Sequence, residues 1–424
     1  MAKSPGDLRI DRDRLWADIE ALAAITDPAQ PYTRRSFSPL FLEGRAWLAR
    51  RFGEAGLTIG IDAAGNLIGG RDGETPGAGA IVVGSHSDSV PAGGRFDGIA
   101  GVAAALETAR TLGENGVRLR HRLDVIDFLA EEPSEYGISC VGSRGMSGEL
   151  TKRHLAMQNG AGESLGDAIA RCGGDPLNIA AARRSDIRAA FELHIEQGRV
   201  LEADAIDIGI VTSIVGVTRL QVTFRGAADH AGTTPMDLRR DALAAAALLV
   251  TAVRARAEAM SARDAGYFVA TTGILEIAPG AANVVPAAAR LVIDARSECR
   301  AQMDEFIAWL DAESAAAATA VRVERPGFER LTDTQPAACD ERLRALLKAG
   351  GATLGLSTRD IASGAGHDSA FLSLIAPSAM VFIPCREGRS HCPEEWAEPD
   401  AVAAGADAIL QAVLRFDATA RAGC

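Results

Sequence analysis

Between residues 80 and 200 the chain sets short, continuously apolar runs against longer ones of helical spacing: AIVVGSH, GIAGVAAALETARTL, HRLDVIDFLAEE and AAFELHIEQG. Strands that are apolar throughout, rather than at every second residue, belong to a sheet covered on both faces, and their alternation with helices indicates an α/β domain. Functional side chains of such a domain gather beyond the strand ends. Residues 12–25 and 39–56 also read as helices. From about residue 213 the pattern changes. VTRLQVTFRG reads as a strand, RRDALAAAALLVTAVRARAEAM as a helix, YFVATTGILEIAP and ARLVIDARS as two strands, ECRAQMDEFIAWLDAESAAA as a helix and AVRVERP as a strand. This β-α-β-β-α-β order is the split-βαβ, ferredoxin-like unit, and it interrupts the first pattern as an insertion. APSAMVFIPC and PDAVAAGADAILQAVLRF then resume the α/β alternation. The expected layout is a discontinuous α/β domain of residues 1–212 and 330–424 around an inserted domain of residues 213–329.

A length of 424 residues suits two such domains. The net charge of -12 and the absence of a basic stripe argue against a nucleic-acid partner and for small solutes. The opening stretch MAKSPGDLRIDRDRLWADIEALAAI carries charges where a signal peptide needs an unbroken apolar core, and no segment is long and apolar enough to span a bilayer. A cytoplasmic protein without a membrane partner is expected. Seven cysteines, at 140, 172, 299, 339, 385, 392 and 424, form no CxxC pair and are odd in number, so thiols rather than a disulfide framework are expected.

Of seven histidines, His86, His194 and His391 fall at the ends of expected strands, and so do Asp97 and the pair Glu131 and Glu132. One strand-end histidine means little. Three with two acidic positions make a mixed nitrogen and oxygen set that zinc, manganese, cobalt or nickel accepts. Asp97 is the candidate bridge between two ions. Asp88, two residues after His86 in an extended stretch, is placed to orient that imidazole. Adjacent glutamates in an extended segment point to opposite sides, so one can bind metal while its neighbour moves protons. His121 and His154 read as surface residues.

The segments GSHSDSVPAGGRFDG, AEE, ELHIEQG, HAGTTPM, NVVP, DARS, SGAGHDS and SHCPEE, from about residue 80 to 400, together resemble the N-carbamoyl-L-amino acid hydrolase and allantoate amidohydrolase branch of the metal-dependent peptidase family M20. HIEQG and HAGTTPM are specific to that branch. The resemblance implies two divalent metal ions per subunit, one held by His86, Asp97 and His194 and the other by Asp97, Glu132 and His391, with Glu131 as general base. It implies that the inserted domain is a lid and the contact of a homodimer, contributing His230, Asn283 and Arg296 to substrate binding, and that Gln197 faces a ureido group. In chemical terms His230 can donate to the developing oxyanion and Arg296 can pair two-point with a carboxylate.

The implied reaction is hydrolysis of the ureido or carbamoyl C–N bond of an N-carbamoyl-L-amino acid or an allantoate-like ureido acid. An aminoacylase or dipeptidase on the same scaffold is the alternative, and a non-catalytic descendant predicts lost ligands. The sequence departs from the branch after the glutamate pair, where EEPSEYG brings in Glu135, and at SHCPEEW, which has Cys392. An acid beside the pocket points to a polar or cationic substrate side chain. His367, Cys385 and Cys392 receive no step.

Overall fold

The computed structural model describes residues 5–263 and 266–422; Cys424 lies outside them. The strands are β1 (Thr58–Ile61), β2 (Leu67–Arg71), β3 (Ala80–His86), β4 (Arg122–Phe128), β5 (Ile187–Ile195), β6 (Ile208–Ile214), β7 (Gly216–Arg225), β8 (Phe268–Ala278), β9 (Ala288–Ser297), β10 (Glu324–Asp333), β11 (Ala337–Ala338), β12 (Thr358–Ser363) and β13 (Ser378–Ile383). Two compact units divide them. The first comprises Met1–Thr212, Cys339–Ile361 and Gly366–Cys424, the second Ser213–Ala338 and Ala362–Ala365.

The sheet of the first unit runs β1-β2-β4-β3-β5-β13-β6. Its centre, β4-β3-β5-β13, is parallel, and the flanking pairs are antiparallel. Every residue of β3 and β13 is buried. Along β3, Ile81 and Val83 enter one apolar cluster with the helices Ile99–Glu114 and Pro399–Ala422, while Val82 enters another with Met146 and Leu372. Both faces are therefore covered, which is why these strands read as unbroken apolar runs. The Ile99–Glu114 helix buries Ala100, Ala103, Ala104, Ala105 and Ala109, small side chains that let it lie close against the strands. Because the four central strands run in one direction, their C-terminal ends share one edge of the sheet. His86 is the last residue of β3 and His194 the penultimate residue of β5.

The second unit holds a four-stranded antiparallel sheet in the order β10-β7-β9-β8, with the helices Ala242–Ser261 and Arg300–Ala320 packed on it. The expected strand AVRVERP is displaced. The preceding helix runs on to Ala320, and β10 begins only at Glu324 and continues to Asp333, paired with β7 through two register shifts. The expected boundary at 329/330 thus falls inside a strand, and the unit extends to Ala338. His121, expected at the surface, is buried, with Nδ1 2.8 Å from Asp417 Oδ1. No helix among the described residues is long and apolar enough to cross a membrane.

Candidate metal centre

The parallel strand ends deliver the expected residues to one place. Two groups have donor atoms within 4.8 Å of one another: His86, Asp97 and His194, and Asp97, Glu132 and His391. Asp97 belongs to both, and its two oxygens divide the work. Oδ1 lies 3.4 Å from His86 Nε2 and 3.1 Å from His194 Nε2, whereas Oδ2 lies 3.2 Å from His391 Nε2. Glu132 Oε1 is also 3.2 Å from His391 Nε2. Glu131 stands apart from both groups, with Oε2 3.6 Å from His86 Nε2.

Hydrogen bonds fix which imidazole nitrogen faces inward. Nδ1 of His86 is 3.1 Å from the Asp88 carbonyl, and Nδ1 of His194 is 2.9 Å from the Ile195 carbonyl. A carbonyl only accepts, so each Nδ1 carries a proton and each Nε2 is turned to Asp97, where it can offer its lone pair to a cation or take a second proton. Lone pairs of imidazole and carboxylate repel unless positive charge lies between them. Buried His86 Nε2 and Glu132 Oε1 find no hydrogen-bond partner, as expected of atoms that serve as ligands. The residues present fit a pair of divalent cations.

Charge perturbation follows the same lines. Burial would depress the His86 pKa, but Glu131, Asp88 and Asp97 outweigh it and lift it well above the usual imidazole value. Burial would likewise raise Asp97, yet His194, His391 and His86 hold it well below the carboxylate range. His391, with Nε2 3.2 Å from both Asp97 and Glu132, is pushed up to about 11 by these two acids. Burial, with Asp368, Glu132 and Asp97 nearby, pushes Glu131 well above the ordinary value against the opposing pull of His86.

The elements that aim these groups are strained. Ala130, Gln197 and His391 all have positive φ, at 53°, 57° and 57°, a conformation costing about 1–3 kcal/mol for a residue with a Cβ. Glu131 and Glu132 therefore do not lie in an extended strand as expected. β4 ends at Phe128, Ala130 turns the chain, and the two carboxylates diverge because of that turn. Gly98, before the Ile99–Glu114 helix, has φ +67°, and a Cβ there would lie 2.4 Å from the His86 ring.

Asp88 does more than the sequence suggested. Its carboxylate accepts the backbone N–H groups of Glu131 and Glu132, each at 3.2 Å, while its carbonyl is the closer partner of His86. Gln197, with a left-handed φ of 57°, donates its amide to Asp97 Oδ2 at 2.7 Å and to Ser390 Oγ at 3.1 Å, which places it beside the metal-ligand groups. Sequence reasoning missed Glu395. Buried, it accepts N–H groups from Phe96 and Asp97 at 2.7 and 3.1 Å and lies 2.9 Å from Ser390 Oγ, tying the Asp97 loop to the His391 loop. The adjacent acids in PEEW were its only signal. Buried Cys140 sets its thiol 3.5 Å from Glu131 Oε1, leaving Oε2 as the oxygen on the His86 side.

The remaining candidates lie elsewhere in the chain. His367 is buried edge-on against His194, with ring centroids 4.5 Å apart. Glu135, exposed, pairs with Arg35 at 3.3 Å. Cys385 is buried and pushed up to about 12 by burial, an unreactive thiol; Cys392 is half-buried. His230, Asn283 and Arg296 all belong to the second unit. His230 is exposed, accepts the Gly232 N–H at Nδ1 at 3.0 Å and pairs with Val284, and the Asn283 carbonyl accepts the Ala231 N–H at 2.9 Å, so His230 and Asn283 are neighbours. Arg296 lies on β9, held through Nε by Asp294 at 2.9 Å.

Comparison with known proteins agrees with this geometry. The profile of peptidase family M20/M25/M40 matches residues 82–415. An N-carbamoyl-L-amino-acid amidohydrolase of Paenarthrobacter aurescens is 39% identical over 412 residues, 96% of this chain and 98% of that protein. A ureidoglycolate hydrolase of Oryza sativa subsp. japonica is 35% identical over 96% of this chain and 85% of its own length. Among solved structures, an amidase of the hydantoinase/carbamoylase family from Burkholderia multivorans is 34% identical, covers 96% of this chain and 98% of its own, and superimposes with a TM-score of 0.89.

Proposed function

The chain belongs to peptidase family M20/M25/M40, and on that premise we propose that it hydrolyses the ureido or carbamoyl C–N bond of an N-carbamoyl-L-amino acid or related ureido acid, releasing amine, ammonia and carbon dioxide. The observation that carries this reading is one aspartate facing two imidazole-bearing groups, with a buried glutamate beside them that joins neither.

His86, Asp97 and His194 would hold one divalent cation, and Asp97, Glu132 and His391 the other, from among zinc, manganese, cobalt or nickel. When bound, such a pair supplies Lewis acidity, polarising the ureido carbonyl and acidifying water. Glu131 takes the proton of the attacking water at Oε2 and returns it to the leaving nitrogen, while Cys140 and the Asp88 carboxylate hold its other oxygen and its backbone. In the second unit, a split-βαβ lid in this reading, His230 donates to the developing oxyanion, Asn283 contacts the substrate and Arg296 anchors its carboxylate. Gln197, whose amide lies beside Asp97, faces the ureido group in this reading. A homodimer through this unit is supported by β8, an edge strand with Ile274, Leu275 and Ile277 exposed, since unpaired apolar edges recruit another chain. The described cysteines are all free, which supports a reducing, cytoplasmic setting.

The test is a panel of N-carbamoyl, N-formyl, N-acetyl and dipeptide forms of one amino acid, assayed with zinc, manganese or cobalt, beside Glu131→Gln. The carbamoyl form should be preferred, chelation should abolish turnover, and Glu131→Gln should retain metal while losing about 10²–10⁴ in kcat. Preference for the acetyl or dipeptide form would move the chain to the aminoacylase or dipeptidase reading; near-normal turnover in Glu131→Gln would remove that residue from the reaction.

A further inference from the structure

The sheet of the second unit has one face turned to its helices and one turned away. Leu220, Val222, Leu291 and Ile293 occupy the first and are buried in the helix-backed core. Alternation puts Arg219, Asp294 and Arg296 on the other. The register places Arg219 opposite Asp294, and Arg296 between Val217 and Val269. Residues opposite one another across antiparallel strands share a face. Tyr267 stands two residues before Val269 and opposite Glu298, its N–H donated to Glu298 Oε1 at 2.7 Å and its carbonyl accepting the Glu298 N–H at 3.2 Å. It therefore lies on the same face as Arg296, at the diagonal position long side chains span.

Arg296 is aimed by two acceptors. Asp294 Oδ1 takes Nε at 2.9 Å, and the Gly364 carbonyl takes Nη1 at 2.7 Å. The other oxygen of Asp294 takes Nε of Arg219 at 2.9 Å, so the carboxylate is braced from the neighbouring strand β7 as well as from its own. This leaves donors on both terminal nitrogens of Arg296, enough for a two-point contact with a carboxylate. The phenol of Tyr267 reaches the same corner: a Cβ on Gly364 would lie 2.8 Å from Tyr267 Oη, which sets the hydroxyl close beside the backbone that holds Arg296. Burial raises the Tyr267 pKa more than Arg296 lowers it, which keeps the hydroxyl protonated, and it makes no side-chain hydrogen bond among the described residues.

We propose that Tyr267 is a second donor to the carboxylate that Arg296 anchors, and that Asp294 is the positioning residue presenting the guanidinium end-on. This deepens, and rests on, the reading of Arg296 given above. A neutral hydroxyl beside a fixed cation selects a free carboxylate over its amide, because the amide neither matches the charge nor accepts at both atoms.

Metal-loaded wild type, Tyr267→Phe, Asp294→Asn and Asp294→Ala are compared on an N-carbamoyl-L-amino acid and on its carboxamide. Tyr267 is 37% exposed, so Phe is tolerated by the fold. Loss of a hydrogen bond to a charged group should raise KM for the acid about 10-fold, leave kcat within about twofold and leave kcat/KM for the carboxamide unchanged. Asp294→Asn, which keeps one acceptor oxygen, should lose less on the acid than Asp294→Ala. An unchanged KM in Tyr267→Phe, or equal losses on acid and carboxamide, overturns the proposal. If wild type hydrolyses neither compound, the functional reading fails instead; calorimetric binding of a free L-amino acid to wild type and Tyr267→Phe then tests the receptor alone, and equal affinity overturns it.

Discussion

The two units hold their chemical groups in opposite ways. In the first, His86, Asp97, Glu131, Glu132 and His194 are buried, and backbone carbonyls, amides or a second carboxylate fix nearly every one. In the second, His230 and Asn283 are exposed, and backbone contacts between their two turns hold them. Groups that must meet developing charge gain from being fixed in advance inside a low-dielectric site. The two units thus differ in how firmly these side chains are braced.

The largest effect is expected where the first unit has no slack. Gly98→Ala puts a methyl group within 2.4 Å of the His86 ring at a positive φ. About 1–3 kcal/mol of backbone strain adds to displacement of a ligand. The variant should lose most of its bound metal by plasma mass spectrometry and most of its turnover; full metal content would break the contrast at its strongest point. His230→Ala should behave in the opposite way, with unchanged Tm and metal content and a kcat lower by about 10²–10³, the usual cost of one oxyanion donor. A fall in Tm would show that the exposed side chain is structural after all. Glu395→Gln is the smallest and sharpest case. It keeps the shape but weakens the tie between the Asp97 and His391 loops, so metal affinity should fall about 10–100-fold, with a smaller change in kcat once metal is saturating. Unaltered affinity would mean the two loops hold themselves.

Much of the first unit could be read from sequence because its physics is local. Continuous apolar runs declared strands covered on both faces, and ligand-type residues at their ends had to converge once the strands ran parallel. His86, Asp97, Glu132, His194 and His391 met as expected. The supporting residues were illegible for a physical reason: a loop has no periodicity, so nothing separates Glu395, buried and bonded to two amides, from exposed Glu394 beside it. His121 misled because its partner, Asp417, is 296 residues away. In the second unit the end of the Arg300–Ala320 helix slipped by several residues, since alanine-rich sequence extends a helix past the point where β-branched residues suggest a strand.

Asp97 gives each oxygen to a different neighbour set, Oδ1 to His86 and His194 and Oδ2 to His391. A substitution there would unsettle both candidate ligand groups at once, whereas loss of His391 or Glu132 would touch one and spare the other.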